Sequence, residues 1–133
     1  MKFKLFAALS VVTLSLSALA ASPQENLEKL KAIGGWHKSK DGACSVFVGV
    51  DTPTSGALRL VVKKSTDTNA DLVAASIGLE KLNYFDDGDQ LKITGESGVE
   101  SIGLILDRDG RLLKAYGKVS LFGPLATRRS CAL

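Results

Sequence analysis

The chain has 133 residues, with 17 Lys and Arg against 14 Asp and Glu, one His and two Cys, for a formal charge of +3. A length of this order holds one hydrophobic core and not two. Two of the basic residues, Lys2 and Lys4, fall in an N-terminal segment that reads as a leader, so the rest of the chain is nearly neutral at +1. That balance speaks against nucleic acid or an anionic membrane as partner, since both are bound through clustered Lys and Arg.

Met1-Lys2-Phe3-Lys4 is a short cationic start, and no charge follows from Leu5 to Leu19. Ala18-Leu19-Ala20 then places small residues at the two positions a signal peptidase reads, so residues 1–20 are expected to be a cleaved secretory signal. The apolar run is shorter than the roughly 20 residues of a permanent span. No Cys follows it to accept a lipid. The expected product is residues 21–133, a single small soluble domain, periplasmic or secreted, with no membrane span.

Pro23 to Ile33 reads as a short helix. Ser22 is a capping residue, Pro23 takes the first helical position and Glu25 stands three residues after the cap. Gly34-Gly35 ends it. After Trp36 the period becomes two: Cys44, Val46, Val48 and Val50 alternate with Ser45, Phe47 and Gly49. A turn cluster over 51–56 leads to a second strand carrying Leu58, Leu60 and Val62, then a polar loop over 65–69. Residues 71–82 fit either element. Leu72, Ala75, Leu79 and Leu82 form a helical face, while Val73, Ala75, Ile77 and Leu79 alternate as a strand; the strand is preferred, with an α+β fold carrying a helix at about 71–82 as the alternative.

From Lys81 onward the pattern is a run of hairpins. Asp86-Asp87-Gly88-Asp89 and Asp107-Arg108-Asp109-Gly110 are turn sequences between alternating segments. Gly95 to Gly98 reads as a further turn, and a last strand is expected over Leu125 to Cys131 after Gly123-Pro124. The fold class expected is all-β: a small antiparallel up-and-down meander of about eight strands, preceded by the helix. Cys44 and Cys131, even in number on an exported chain, are expected to pair. A bridge closing so long a loop contributes roughly 4–5 kcal/mol by chain entropy. Cys44 begins the first long strand and Cys131 ends the last, and an open meander would hold them beyond disulfide reach. The pairing therefore points to closure into a barrel of roughly eight strands.

Gly34-Gly35-Trp36, placed between a short helix and the first of many strands, resembles the Gly-x-Trp of calycin-type barrels, the lipocalin-like and small bacterial protease-inhibitor-like group. The resemblance implies that Trp36 plugs one barrel end and that a basic residue of the last strand, Arg128 or Arg129, packs across the ring.

No residue pattern supports catalysis, and no catalytic, cofactor or metal residues are assigned. His37 is the single histidine, and next to an inward Trp36 it would point outward. Gly95-Glu96-Ser97-Gly98 is one residue short of a nucleophile elbow. The close carboxylates Asp86, Asp87, Asp107 and Asp109 match no EF-hand loop, so they read as turn residues unless they converge on one cleft. The function expected is a non-enzymatic binding protein of the cell envelope, taking a small apolar ligand or a protein partner. The alternative is an inhibitor of an exported protease, acting through Ala21 to Lys31 or a loop.

Overall fold

In the computed structural model the chain is described over residues 23–51, 56–65, 73–120 and 126–133. The leader, Ser22, the centre of the 51–56 turn, most of the 65–69 loop, Asp71-Leu72 and Gly123 to Leu125 lie outside the described residues. Among the described residues one helix, α1 (Pro23–Ala32), precedes nine strands: β1 (Gly35–Lys38), β2 (Cys44–Asp51), β3 (Ala57–Lys64), β4 (Val73–Gly78), β5 (Leu82–Asp86), β6 (Gln90–Ser97), β7 (Glu100–Asp107), β8 (Leu112–Ser120) and β9 (Ala126–Ala132).

The expected antiparallel meander is present, divided into two sheets. Strands β1 to β4 pair in sequence order as a four-stranded sheet, and β5 to β9 as a five-stranded one. The chain crosses from one to the other through a single 3₁₀ turn at Leu79–Lys81. This crossing explains the double signal of residues 71–82: Val73–Gly78 is strand, and the helical character of the rest contracts to that one turn. The Leu79 N–H donates to the Gly56 carbonyl at 2.7 Å, tying the turn to the start of β3.

No sheet closes into a barrel among the described residues. The interruption at Leu79–Lys81 separates β4 from β5, and the opposite seam would have to be made by β1, which is only four residues long. The sheets instead face one another. Each presents an alternating apolar face, and the two faces meet in one core: Val46, Val48, Leu58, Leu60 and Val62 from the first sheet, Ile93, Ile102, Leu104, Leu106 and Ala115 from the second. All of these are at most 1% exposed. Leu30 and Ile33, from α1 and the residue just after it, join the same core.

Gly95, expected in a turn, lies within β6 and pairs with Leu82 and Ile102. A β-carbon there would come within 2.9 Å of Ile77 and Leu82 side-chain atoms, so glycine serves close sheet-to-sheet packing at this position. The turn comes after Ser97, where Gly98 takes φ +59°.

Cys44 and Cys131 form the expected disulfide, with Cα atoms 5.7 Å apart. It runs through the core from β2 of the first sheet to β9 of the second. Its two ends are neighbours because the sheets are stacked, which is how the pairing arises without a closed hydrogen-bonded ring.

Candidate functional site

The residues expected at a barrel end are on different surfaces. Trp36 is 59% exposed on the outer face of the first sheet. It meets Phe47, its cross-strand partner, with ring centroids 5.4 Å apart, and the Lys63 ammonium lies 5.6 Å from its centroid. Arg128 and Arg129 stand on β9 at the edge of the second sheet. The structure therefore brings Trp36 to a lysine of β3 and not to either arginine. With Trp36 outward, His37 is the half-buried one, its Nε2 donating to the Ile33 carbonyl at 2.6 Å beyond the end of α1.

The carboxylates of the two Asp-rich turns do share one end of the second sheet, where Arg108 of the β7–β8 turn binds Asp89 of the β5–β6 turn at 2.8 Å. At Asp87 and Asp107 one carboxylate oxygen is taken up by backbone N–H groups. Asp87 Oδ1 accepts from the N–H groups of Asp89 and Gln90 at 3.0 and 2.8 Å, and Asp107 Oδ1 from those of Asp109 and Arg111 at 2.9 Å each. The Gln90 N–H, and after it the Asp89 N–H, holds the Asp87 carboxyl below the ordinary carboxylate range. The Arg111 N–H, with the Arg111 charge, does the same at Asp107. Such groups stay ionised and support a turn. Among the described residues no cluster of three or more His, Cys, Asp or Glu is placed to hold a metal ion.

A cleft of about 780 Å³ opens on the outer face of the five-stranded sheet. Register builds it. Thr94, Gly103, Tyr116 and Ser130 lie in one row across β6 to β9, and Glu96, Ser101, Lys118 and Arg128 lie in the next. Gly103 has no side chain, and the Tyr116 ring occupies that space: a β-carbon on Gly103 would fall within the ring. The phenol therefore lies over Gly103 and is half-buried, in a cleft whose lining also includes Ser101 and Ser130.

Lys118 is directly opposite Arg128. Like charges facing each other across two strands oppose pairing. Neither side chain has a carboxylate within ion-pair distance among the described residues. Lys81, at the mouth of the cleft, donates to Ser97 Oγ at 3.2 Å. Among the described residues Glu96 is the one acidic residue lining the cleft. Farther along the same face Lys92 and Lys114 flank Ile105. A chain of nearly balanced charge thus carries a locally cationic sheet face, because five aspartates, Asp86, Asp87, Asp89, Asp107 and Asp109, are gathered in or beside the turns at one end.

No protein family, no curated protein and no solved structure matches this chain.

Proposed function

We propose that this chain is an exported, non-enzymatic binding protein whose ligand is an anion with a flat or ring-shaped apolar face, held over Tyr116. The observation that carries the reading is the uncompensated pair Lys118 and Arg128 beside an aromatic ring lying over Gly103. Two cations kept opposite each other weaken the sheet, and an anion between them turns that repulsion into attraction. A cleft of about 780 Å³ lies within the usual range for small-ligand sites. Between the sheets the core side chains named above are at most 1% exposed and belong to one packed cluster. A ligand between the sheets is therefore not favoured over one on the outer face. Export is supported by the leader pattern of residues 1–20 and agrees with the Cys44–Cys131 disulfide, a bond that persists in oxidising compartments.

The test is calorimetric titration of the protein recovered from the envelope or medium, where its N-terminus is expected at Ala21, with uronic-acid oligomers, nucleoside monophosphates and their uncharged analogues. Binding of a charged probe with no binding of its neutral counterpart is the expected result. Lys118→Gln should weaken that binding about fivefold to tenfold while leaving the fold as stable or slightly more so. Equal affinity for charged and neutral probes, or no binding of any anion, would overturn the reading.

A further inference from the structure

The outer face of the first sheet carries a different surface. Its central row is Trp36, Phe47, Val61 and Ala74, one from each strand. Val61 is only 9% exposed although it lies outside the core cluster, because its own face covers it. The Phe47 ring lies over Gly49, where a β-carbon would come within 2.9 Å of it. On one side of this row stand Lys38, Ser45 and Lys63, and on the other Gly49, Arg59 and Ser76. None of these residues is acidic. Apolar and aromatic side chains occupy the middle, and three cations form the margin.

We propose that this face docks on the surface of an anionic lipid bilayer, since register gathers Lys38, Lys63 and Arg59 on it, a local clustering that the near-neutral balance of the whole chain does not show. The hollow beside Trp36 is only about 290 Å³, at the lower limit of small-molecule sites, so the surface offers contact and not enclosure. An exposed Trp with an apolar body and a polar N–H suits the headgroup layer. Lys38 and Lys63 have aliphatic stems long enough to lie along the apolar row while their ammonium groups meet lipid phosphates. Each cation near such a surface adds attraction that falls off within a Debye length. The rows on either side of the apolar centre carry Lys38, Lys63 and Arg59 and no carboxylate among the described residues; the Glu80 carboxylate stands one row farther out, beside Gly78. The contact is peripheral: no helix of the described residues is long and apolar enough to cross a membrane. This inference is independent of the ligand proposed for the cleft, which lies on the opposite side of the molecule.

Trp36 is the only tryptophan in the chain, so its emission reports this face alone. The mature protein is mixed with vesicles of phosphatidylcholine, with and without 30 mol% phosphatidylglycerol (a composition of about the anionic content that attracts polybasic segments), and followed by fluorescence and co-sedimentation. The expected result is a blue shift and sedimentation with the anionic vesicles only, both reversed by high salt. The Lys38→Gln/Lys63→Gln variant should lose about tenfold or more in partitioning with an unchanged unfolding midpoint. Trp36→Ser should weaken sedimentation while folding normally. The proposal is overturned by absence of binding to anionic vesicles, or by an equal loss in Lys118→Gln/Arg128→Gln, which would place the contact on the cleft face. It is overturned too by a blue shift that grows with protein concentration without lipid, which would assign the face to self-association, or by an equal shift with soluble polyphosphate.

Discussion

Two buried polar side chains show how differently the same degree of burial acts. Ser39, 6% exposed, has its hydroxyl fully engaged, donating to Asp41 Oδ1 at 2.7 Å and accepting from the Cys44 N–H at 3.1 Å. Asp41 in turn accepts from the Ala43 N–H at 2.9 Å. This small network closes the β1–β2 connection and delivers Cys44 to its position in the core. Asn26, 7% exposed in α1, has a buried Oδ1 with no hydrogen-bond partner among the described residues. Removing a partner and removing an orphan have opposite consequences. Ser39→Ala is expected to cost about 1–3 kcal/mol, because the buried Cys44 N–H loses its acceptor. Asn26→Leu, similar in shape, is expected to be neutral or stabilising by about 1 kcal/mol. Urea unfolding of both variants decides the matter, and a larger loss in Asn26→Leu than in Ser39→Ala would contradict it.

Among the elements, the hairpins of the second sheet combine the most legible features of the sequence with the least legible. The strands were readable because apolar residues such as Ile102, Leu104 and Leu106 recur at every second position, and the turns because Asp and Gly recur where the chain reverses. Gly95 misled: a glycine beside Glu96-Ser97-Gly98 has the composition of a turn, but its absent side chain makes room for Ile77 and Leu82 of other elements. The cleft was not readable, since it depends on register. Nothing local in the sequence states that Lys118 faces Arg128 or that Tyr116 lies on Gly103. The Asp-rich turns also carry a pH dependence. Backbone N–H groups lower the carboxyl pKa of both Asp87 and Asp107 in the folded chain relative to the unfolded one. Their contribution is complete above the unfolded value and is lost as pH falls through the folded value. Stability is therefore expected to be insensitive to these groups from pH 7 to about 5 and to decline below about 4. Asp107→Asn keeps an acceptor oxygen for the turn and removes the titration, so its denaturation midpoint should fall less steeply between about pH 4 and 2. An identical acid profile for variant and parent would show that the turn carboxylate is not a source of the decline.

At the scale of the molecule, the disulfide and the meander do different work. Every β-ladder joins strands that are neighbours in sequence, so either sheet can assemble from local hairpins. The stacking of one sheet on the other is the long-range part of the fold, and the Cys44–Cys131 bond, 87 residues apart in sequence, is the covalent link across that interface. Pairing of the two cysteines was legible from their number and the export signal. The architecture they tie together was not, because a bridge between the first and last long strands is equally compatible with a closed ring and with two stacked sheets. The exposure of Trp36 likewise depends on which face of β1 the second sheet covers, and alternation leaves that choice open. The stacked arrangement makes a specific prediction. Replacing both cysteines with alanine removes a long-range restraint on the unfolded chain and should cost about 2–5 kcal/mol, a fall in midpoint on the order of 10–20 °C. The cleft over Tyr116 is lined by β5 to β9 of the second sheet and by Lys81 of the connecting turn, and its lining contains neither cysteine. Below its lowered midpoint the double variant should therefore bind the same charged probe with an affinity within about twofold of the parent, since the ladders that set the register of the cleft remain. Thermal unfolding and titration on one preparation measure both quantities. Loss of binding in a fully folded double variant would mean that the second sheet takes its binding shape only when bolted to the first.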